Sequence, residues 1–187
     1  MNTAPTITLG LAQSPEDLKG IKALQTANLK TGIAPKDLKK TGFVTAAYSL
    51  ALLEKMNAYY PAVIAKMGPK VVGYALVVDH QIRGQHDLLD DLLTQIDNTR
   101  YQGQLLAHSR YVVVGQLCVA QEVRGQGLAQ KLYQQFKTSY RDRFTYCVTD
   151  VDHENLPSLR AHEKTGFQKL GTLTYGGSDW SIVLWDW

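Results

Sequence analysis

The stretch from Val119 to Ala129, VAQEVRGQGLA, constrains this chain more than any other. An apolar, strand-like run from Tyr111 to Val119 leads into it. Behind it, Leu128, Ala129, Leu132, Tyr133 and Phe136 recur at helical spacing. The order is therefore strand, glycine-bearing loop, helix start. Gly125 and Gly127 let the backbone approach a ligand closely, and the free N–H groups of a helix N-terminus favour an anion. Arg124 adds a planar cationic fork at the same place. Together these residues read as a cradle for a pyrophosphate, against the plainer reading of a strand-to-helix turn whose glycines serve sterics alone. A P-loop is excluded because no lysine follows Gly127 at the required spacing. A dinucleotide fingerprint is excluded because its third small residue falls on Gln130.

A second stretch, Asn155 to Phe167, reads NLPSLRAHEKTGF. Asn155 suits a helix N-cap, Pro157 is tolerated in a first turn, and Gly166 suits a C-terminal stop. This predicts a short helix that re-enters a strand at Phe167. The Arg124–Ala129 pattern, Arg-x-x-Gly-x-Ala, resembles the acyl-CoA loop of the GNAT superfamily of N-acetyltransferases. The Asn155–Phe167 stretch resembles that superfamily's second motif: Asn-x-x-Ser or Ala, then an aromatic or His, then Glu-Lys-x-Gly-Phe. The resemblance covers about residues 70 to 187, and the first 70 match only in element order. It implies one GNAT-like domain over 1–187: a mixed α/β (α+β) fold with a central, twisted, mostly antiparallel sheet of about 6–7 strands and helices on both faces.

The pattern of the chain agrees with that expectation. Its 187 residues, 44% of them hydrophobic, suit one domain. Ile7 to Ala12 reads as a strand, and Ser14-Pro15-Glu16-Asp17 starts a helix whose face carries Leu18, Ile21, Leu24, Gln25 and Asn28. A polar stretch with Lys36, Lys39 and Lys40 follows, open to a phosphate contact. A second helix is expected over Ala46 to Ala58. Pro61 to Met67 and Lys70 to Asp79 read as a hairpin around Gly68-Pro69. The run from Val71 to Val78 is apolar on both faces, as in a strand covered on both sides. Asp87 to Asp97 reads as an amphipathic helix whose Asp87, Asp90, Asp91 and Asp97 either face solvent or draw in a cationic amine. Residues 98 to 110 read as a polar loop. Phe144 to Asp152, Lys169 to Tyr175 and Trp180 to Trp187 read as strands, the last inserted inside the sheet. Its aromatic end is a candidate dimer contact.

Net charge is +3 and the cations are scattered, so nucleic-acid binding is not indicated. Cys118 and Cys147 sit in apolar strand patterns and read as buried free thiols. No signal core or membrane-length apolar run is seen, so a cytoplasmic protein that binds no membrane is expected, and no metal.

The resemblance further implies acetyl-CoA as co-substrate. Its pantetheine arm would lie against Leu117, Cys118 and Val119. Its pyrophosphate would rest on Gly125, Gln126, Gly127, Leu128 and Ala129 beside Arg124. Asn155 would either bond the arm or simply cap its helix. The acceptor would be a primary amine, of a small molecule or of a peptide or protein. An alkyl ammonium with pKa near 10.4 is under about 0.1% neutral at pH 7, so a base is useful. Candidates are Asp150, Asp152, His153 and Glu154. Asp150 is preferred because superfamily members that acetylate ribosomal-protein N-termini carry a Glu, one methylene longer, at that place; the plainer reading is that Asp150 only binds the substrate ammonium or orders the loop. His162 stands where many relatives carry a Tyr that protonates the leaving thiolate. At pH 7 an unperturbed His is only about a quarter protonated, and the plainer reading is a helix histidine that packs near the cofactor. The expected reaction is direct attack in a ternary complex. The competing expectations are a non-catalytic acyl-CoA-binding or regulatory domain on the same fold, and an interaction module that self-associates through the aromatic last strand.

Overall fold

Seven strands form the central sheet, in the order β1-β2-β3-β6-β7-β9-β8, in a computed structural model that describes residues 6–187. In chain order the elements are β1 (Ile7–Leu11), α1 (Pro15–Ala27), α2 (Leu50–Tyr59), β2 (Val63–Met67), β3 (Lys70–Val78), α3 (Asp87–Asp97) and a small hairpin of β4 (Arg100–Tyr101) and β5 (Gln104–Leu105). Then come β6 (Tyr111–Val119), α4 (Leu128–Tyr140), β7 (Tyr146–Asp152), α5 (Leu156–Thr165), β8 (Gln168–Tyr175) and β9 (Ser178–Asp186). All neighbours in the sheet are antiparallel except β6 and β7, which α4 joins as a crossover. β3 is buried from Val71 to Val78, as a strand apolar on both faces requires. α1 and α2 pack on one face of the sheet, and α4 and α5 on the other.

Local chemistry sets the helix ends. Ser14 and Asp17 form a reciprocal capping box, and the Asp17 carboxylate is also bonded by Lys66 at 2.7 Å. Burial raises the Asp17 pKa, but Lys66 and the backbone of Gln13 outweigh it and hold the carboxyl below its usual value. The second helix starts later than the apolar pattern suggests. Ser49 caps it by accepting from Leu52 N, and residues 46–48 lie outside the helix. That correction puts Tyr48 into the site described below. The expected loop over 98–110 contains the β4–β5 hairpin, turned by Gln102 and Gly103 in the left-handed region.

β9 lies between β7 and β8, as expected of an inserted last strand. Its aromatic end faces inward. Trp185 packs on Phe167 and on Tyr133 of α4, Trp187 packs on Phe136, and Lys137 Nζ sits 5.1 Å over the Trp185 ring. Cys118 and Cys147 are buried free thiols. Burial pushes the Cys118 pKa up to about 12, which removes it as an acyl-carrying nucleophile at neutral pH. Among the described residues no helix is long and apolar enough to cross a membrane.

The feature that positions the site is the parting of β6 from β7. Their ladder runs only from Tyr111↔Tyr146 to Val113↔Val148. At the next step Thr149 Oγ1 donates to Val114 O at 2.8 Å, and Tyr48 Oη donates to Gly115 O at 3.3 Å. On its other side β6 stays paired with β3 as far as Val119, through a bulge at Gly115. A Cβ at Gly115 would lie 2.6 Å from Val78 Cγ2. Gly115→Ala should therefore cost about 1–3 kcal/mol, an overpacking penalty measurable by urea unfolding.

Candidate active site

The Arg124–Ala129 loop takes the conformation its residue types require. Gly125 and Gly127 have φ of +77° and +72° with open space where a Cβ would stand, so backbone conformation rather than crowding demands glycine. Gly127 is the N-cap of α4 and supplies no side chain, so the first N–H groups of the helix, from Leu128 on, carry no side-chain cap. Arg124 Nε donates to Val119 O at 3.0 Å and its Nη2 to Asn28 Oδ1 at 2.7 Å, which holds the fork beside those N–H groups. A groove of about 420 Å³ opens here. Its lining includes Leu117, Cys118, Val119, Arg124, Gly125, Gly127, Leu128, Ala129 and Asn155. The Gln126 side chain is exposed and lies outside the lining; the expectation for this residue concerns its backbone N–H. Asn155 caps α5 by accepting from Ser158 N at 3.3 Å and donates through Nδ2 to Phe43 O at 2.8 Å. The cap reading of Asn155 is thus observed, together with a tie to the loop between α1 and α2.

A smaller well of about 80 Å³ lies next to the groove. Phe43, Leu117, Tyr133, Asn155, Ser158 and His162 line both spaces. Asp150 stands in the well, with Tyr48, Leu88 and Trp180 among its walls. Burial pushes the Asp150 carboxyl up to about 7, and the Asp152 charge on the same strand face adds to this. The other carboxylates predicted as bases are committed elsewhere. Lys30 Nζ binds Asp152 at 2.7 Å and Glu154 at 2.9 Å, and these partners outweigh burial to raise the lysine's pKa. His153 Nε2 lies 2.9 Å from Ser181 Oγ. The acids of α3 are not a wall of the well. Asp90 accepts from Gly84 N, Asp97 pairs with Arg83, and α3 contributes only Leu88 to the lining.

His162 is bonded at both ring nitrogens. Its Nδ1 lies 2.7 Å from the Ser158 carbonyl oxygen, which can only accept, so Nδ1 carries the proton. Its Nε2 then accepts from Tyr133 Oη at 2.5 Å. Burial lowers the His162 pKa to about 4, so the ring is neutral at pH 7. Its single proton is held by a backbone carbonyl and its other nitrogen is an acceptor, which argues against His162 as the general acid. Burial also keeps Tyr133 protonated far above neutral pH.

Phe43, Tyr48, Tyr133 and Trp180 escaped the sequence reading. Phe43 and Tyr48 lie in the part of the chain where no motif matched, Tyr133 read as a core residue by its helical spacing, and Trp180 read as sheet filling.

With this geometry in hand, comparison with known proteins is decisive. A family model described as the Acetyltransferase (GNAT) family matches residues 35–167. The chain belongs to the GNAT acetyltransferase family. Solved structures share the GNAT fold over nearly its whole length. An N-acetyltransferase from Staphylococcus aureus Mu50 matches with a TM-score of 0.63 and 18% identity over 97% of this chain and 98% of its own. YncA of Salmonella typhimurium, solved with its cofactor acetyl-CoA, matches with a TM-score of 0.62 and 18% identity over 96% of this chain and 93% of its own. A ribosomal-protein-alanine N-acetyltransferase from Brucella melitensis matches with a TM-score of 0.61 and 17% identity over 96% of this chain and 99% of its own. A search of curated proteins gives no significant match.

The Asp150 environment has a measurable cost. A carboxyl whose folded pKa, about 7, exceeds its unfolded value of 3.8 loses stability as pH rises between the two. The penalty is absent below pH ~4 and complete above ~7, and is about 2–4 kcal/mol for a group only partly covered. Asp150→Asn should therefore raise Tm by about 5–10 °C at pH 8 and leave it nearly unchanged at pH 4, read by calorimetry.

Proposed function

We propose that this chain transfers an acetyl group from acetyl-CoA to a primary amine by direct attack within a ternary complex. The observation that carries this reading is the meeting of two spaces. The long groove ends on the uncapped start of α4 and Arg124, and the small well holds a carboxyl of raised pKa. The groove suits a long donor with a pyrophosphate. Its pantetheine arm would add to the unpaired edge of β6 at Leu117–Val119, as an extra strand does. The thioester would then reach the shared mouth at Leu117 and Ser158. A backbone N–H near Val119 would polarise its carbonyl.

In this reading Asp150 takes the proton of the amine. A base with pKa near the working pH combines ionised form with basicity, and a value of about 7 meets that condition. Asp152 and Glu154 are held by Lys30 and are poor candidates. The thiolate has a conjugate acid of pKa near 8.5, far below that of an amine, so it departs first once the amine has lost its proton. That departure calls for no imidazolium. His162 instead holds Tyr133 and its own helix turn at the mouth between the two spaces. The apolar walls at Tyr48, Leu88 and Trp180 favour an acceptor whose amine is flanked by uncharged groups, whether in a small molecule or a peptide.

Two measurements test this. Acetyl-CoA at 100 times its Kd should add about 2.7 kcal/mol to stability, a Tm rise of roughly 5–10 °C. No rise would remove the donor. Asp150→Asn should lower kcat by about 10²–10⁴ while leaving acetyl-CoA affinity unchanged. The wild-type kcat/KM should rise with pH through about 7 as Asp150 ionises. Full turnover by the Asn variant would exclude Asp150 as base. Tight acetyl-CoA binding with no turnover across an amine screen would favour the non-catalytic alternative.

A further inference from the structure

We infer that Arg160 and Lys164 form a phosphate-monoester site that reads the 3′-phosphate of the acyl donor's nucleotide. The inference deepens the reading of the groove as an acetyl-CoA site and rests on it. Both residues line the groove, and both are exposed at its wall on α5. They stand four apart in the helix, so they share one face with Cβ atoms about 5–6 Å apart. Two like charges so placed repel each other, and a helix gains nothing from the arrangement unless an anion bridges them. Among the described residues neither makes a salt bridge. Lys164, in the last turn, has a second reason to be basic, since it faces the negative end of the helix dipole. Arg160 sits mid-helix and has no such reason. Glu163 lies between them in sequence but does not line the groove.

The pyrophosphate has its own donors elsewhere, in the start of α4 and Arg124. A ligand with only those two phosphoryl groups would leave the α5 pair unused. Coenzyme A carries a third group, a ribose phosphate monoester with a charge near −2 at neutral pH. A guanidinium fork and an ammonium together match that charge, and the fork matches the oxygen geometry. The site therefore discriminates donors by the nucleotide's 3′ end, far from the acetyl group.

The test is isothermal titration of the full chain at low ionic strength with acetyl-CoA and with acetyl-3′-dephospho-CoA. The wild type should bind acetyl-CoA at least tenfold more tightly. The Arg160→Gln/Lys164→Gln variant should bind acetyl-CoA only as tightly as it binds the dephospho donor, and its affinity for the dephospho donor should equal that of the wild type. Lys169→Gln, an exposed charge on β8 outside the groove, should leave the preference intact. Equal wild-type affinity for the two donors overturns the inference while leaving the acetyl-CoA reading in place. So does a double variant that weakens both donors alike. Failure of the wild type to bind either donor overturns both readings.

Discussion

The parting of β6 from β7 is the constraint on which the rest of the structure depends. Two parallel strands that began in register separate after Val113 and Val148, and this leaves polar backbone without ladder partners at the centre of the sheet. Such groups are costly unless something receives them. Thr149 and Tyr48 take the carbonyls of Val114 and Gly115, at the apex of the gap. Gln116, the next residue, is fixed on three sides: Gln25 and Tyr74 donate to its Oε1, and its Nε2 donates to Ala46 O. The apex is thus saturated by the protein. Beyond it, the edge at Leu117–Val119 faces the groove, and that is where a ligand with amide groups has most to gain.

The loop between α1 and α2 closes over this gap through three ties that start from different elements. Arg124 of the cradle holds Asn28, Asn155 of α5 holds the Phe43 carbonyl, and Lys30 of the loop holds Asp152 and Glu154 at the end of β7. The Lys30 pair with Asp152 is nearly buried on the carboxylate side, so breaking it would strand a charge, unlike the loss of an exposed pair. Phe43 and Tyr48 are carried on this loop into the mouth and the well. The glycine loop, the α5 cap and the walls of the well are therefore one mechanical unit, although their residues are scattered over the sequence.

Two aspartates two residues apart show how that unit assigns chemistry. Asp150 and Asp152 share a strand face, yet among the described residues Asp152 has a lysine partner and Asp150 has none. The first is a structural anion and the second a carboxyl that titrates near neutral pH. The same logic fixes the hydrogen bonds of His162. A carbonyl one turn back takes its only proton, and the phenol of Tyr133 occupies its other nitrogen. The Tyr133 and Lys30 partners are brought in by α4 and by a loop more than a hundred residues upstream, and only the Ser158 carbonyl is local to His162.

By itself the sequence determined the elements whose code is local. The glycines of the Arg124–Ala129 loop, the cap and stop of α5, the two-faced apolar runs of β3 and β9 and the acidic amphipathic α3 each follow from short-range conformational rules, and together they identify the family. The conformation of that loop was legible for the same reason, since a left-handed glycine and a bare helix start are properties of neighbours in the chain. Only the tertiary structure decided where α2 begins, that Tyr48 and Phe43 border the well, which carboxylate stays unpaired and where the His162 proton resides. Those are questions of desolvation and of long-range partnership. A pKa or a tautomer depends on what the folded chain places against a group, and the residues that do so here are set against it only once the sheet has closed and the loop has crossed it.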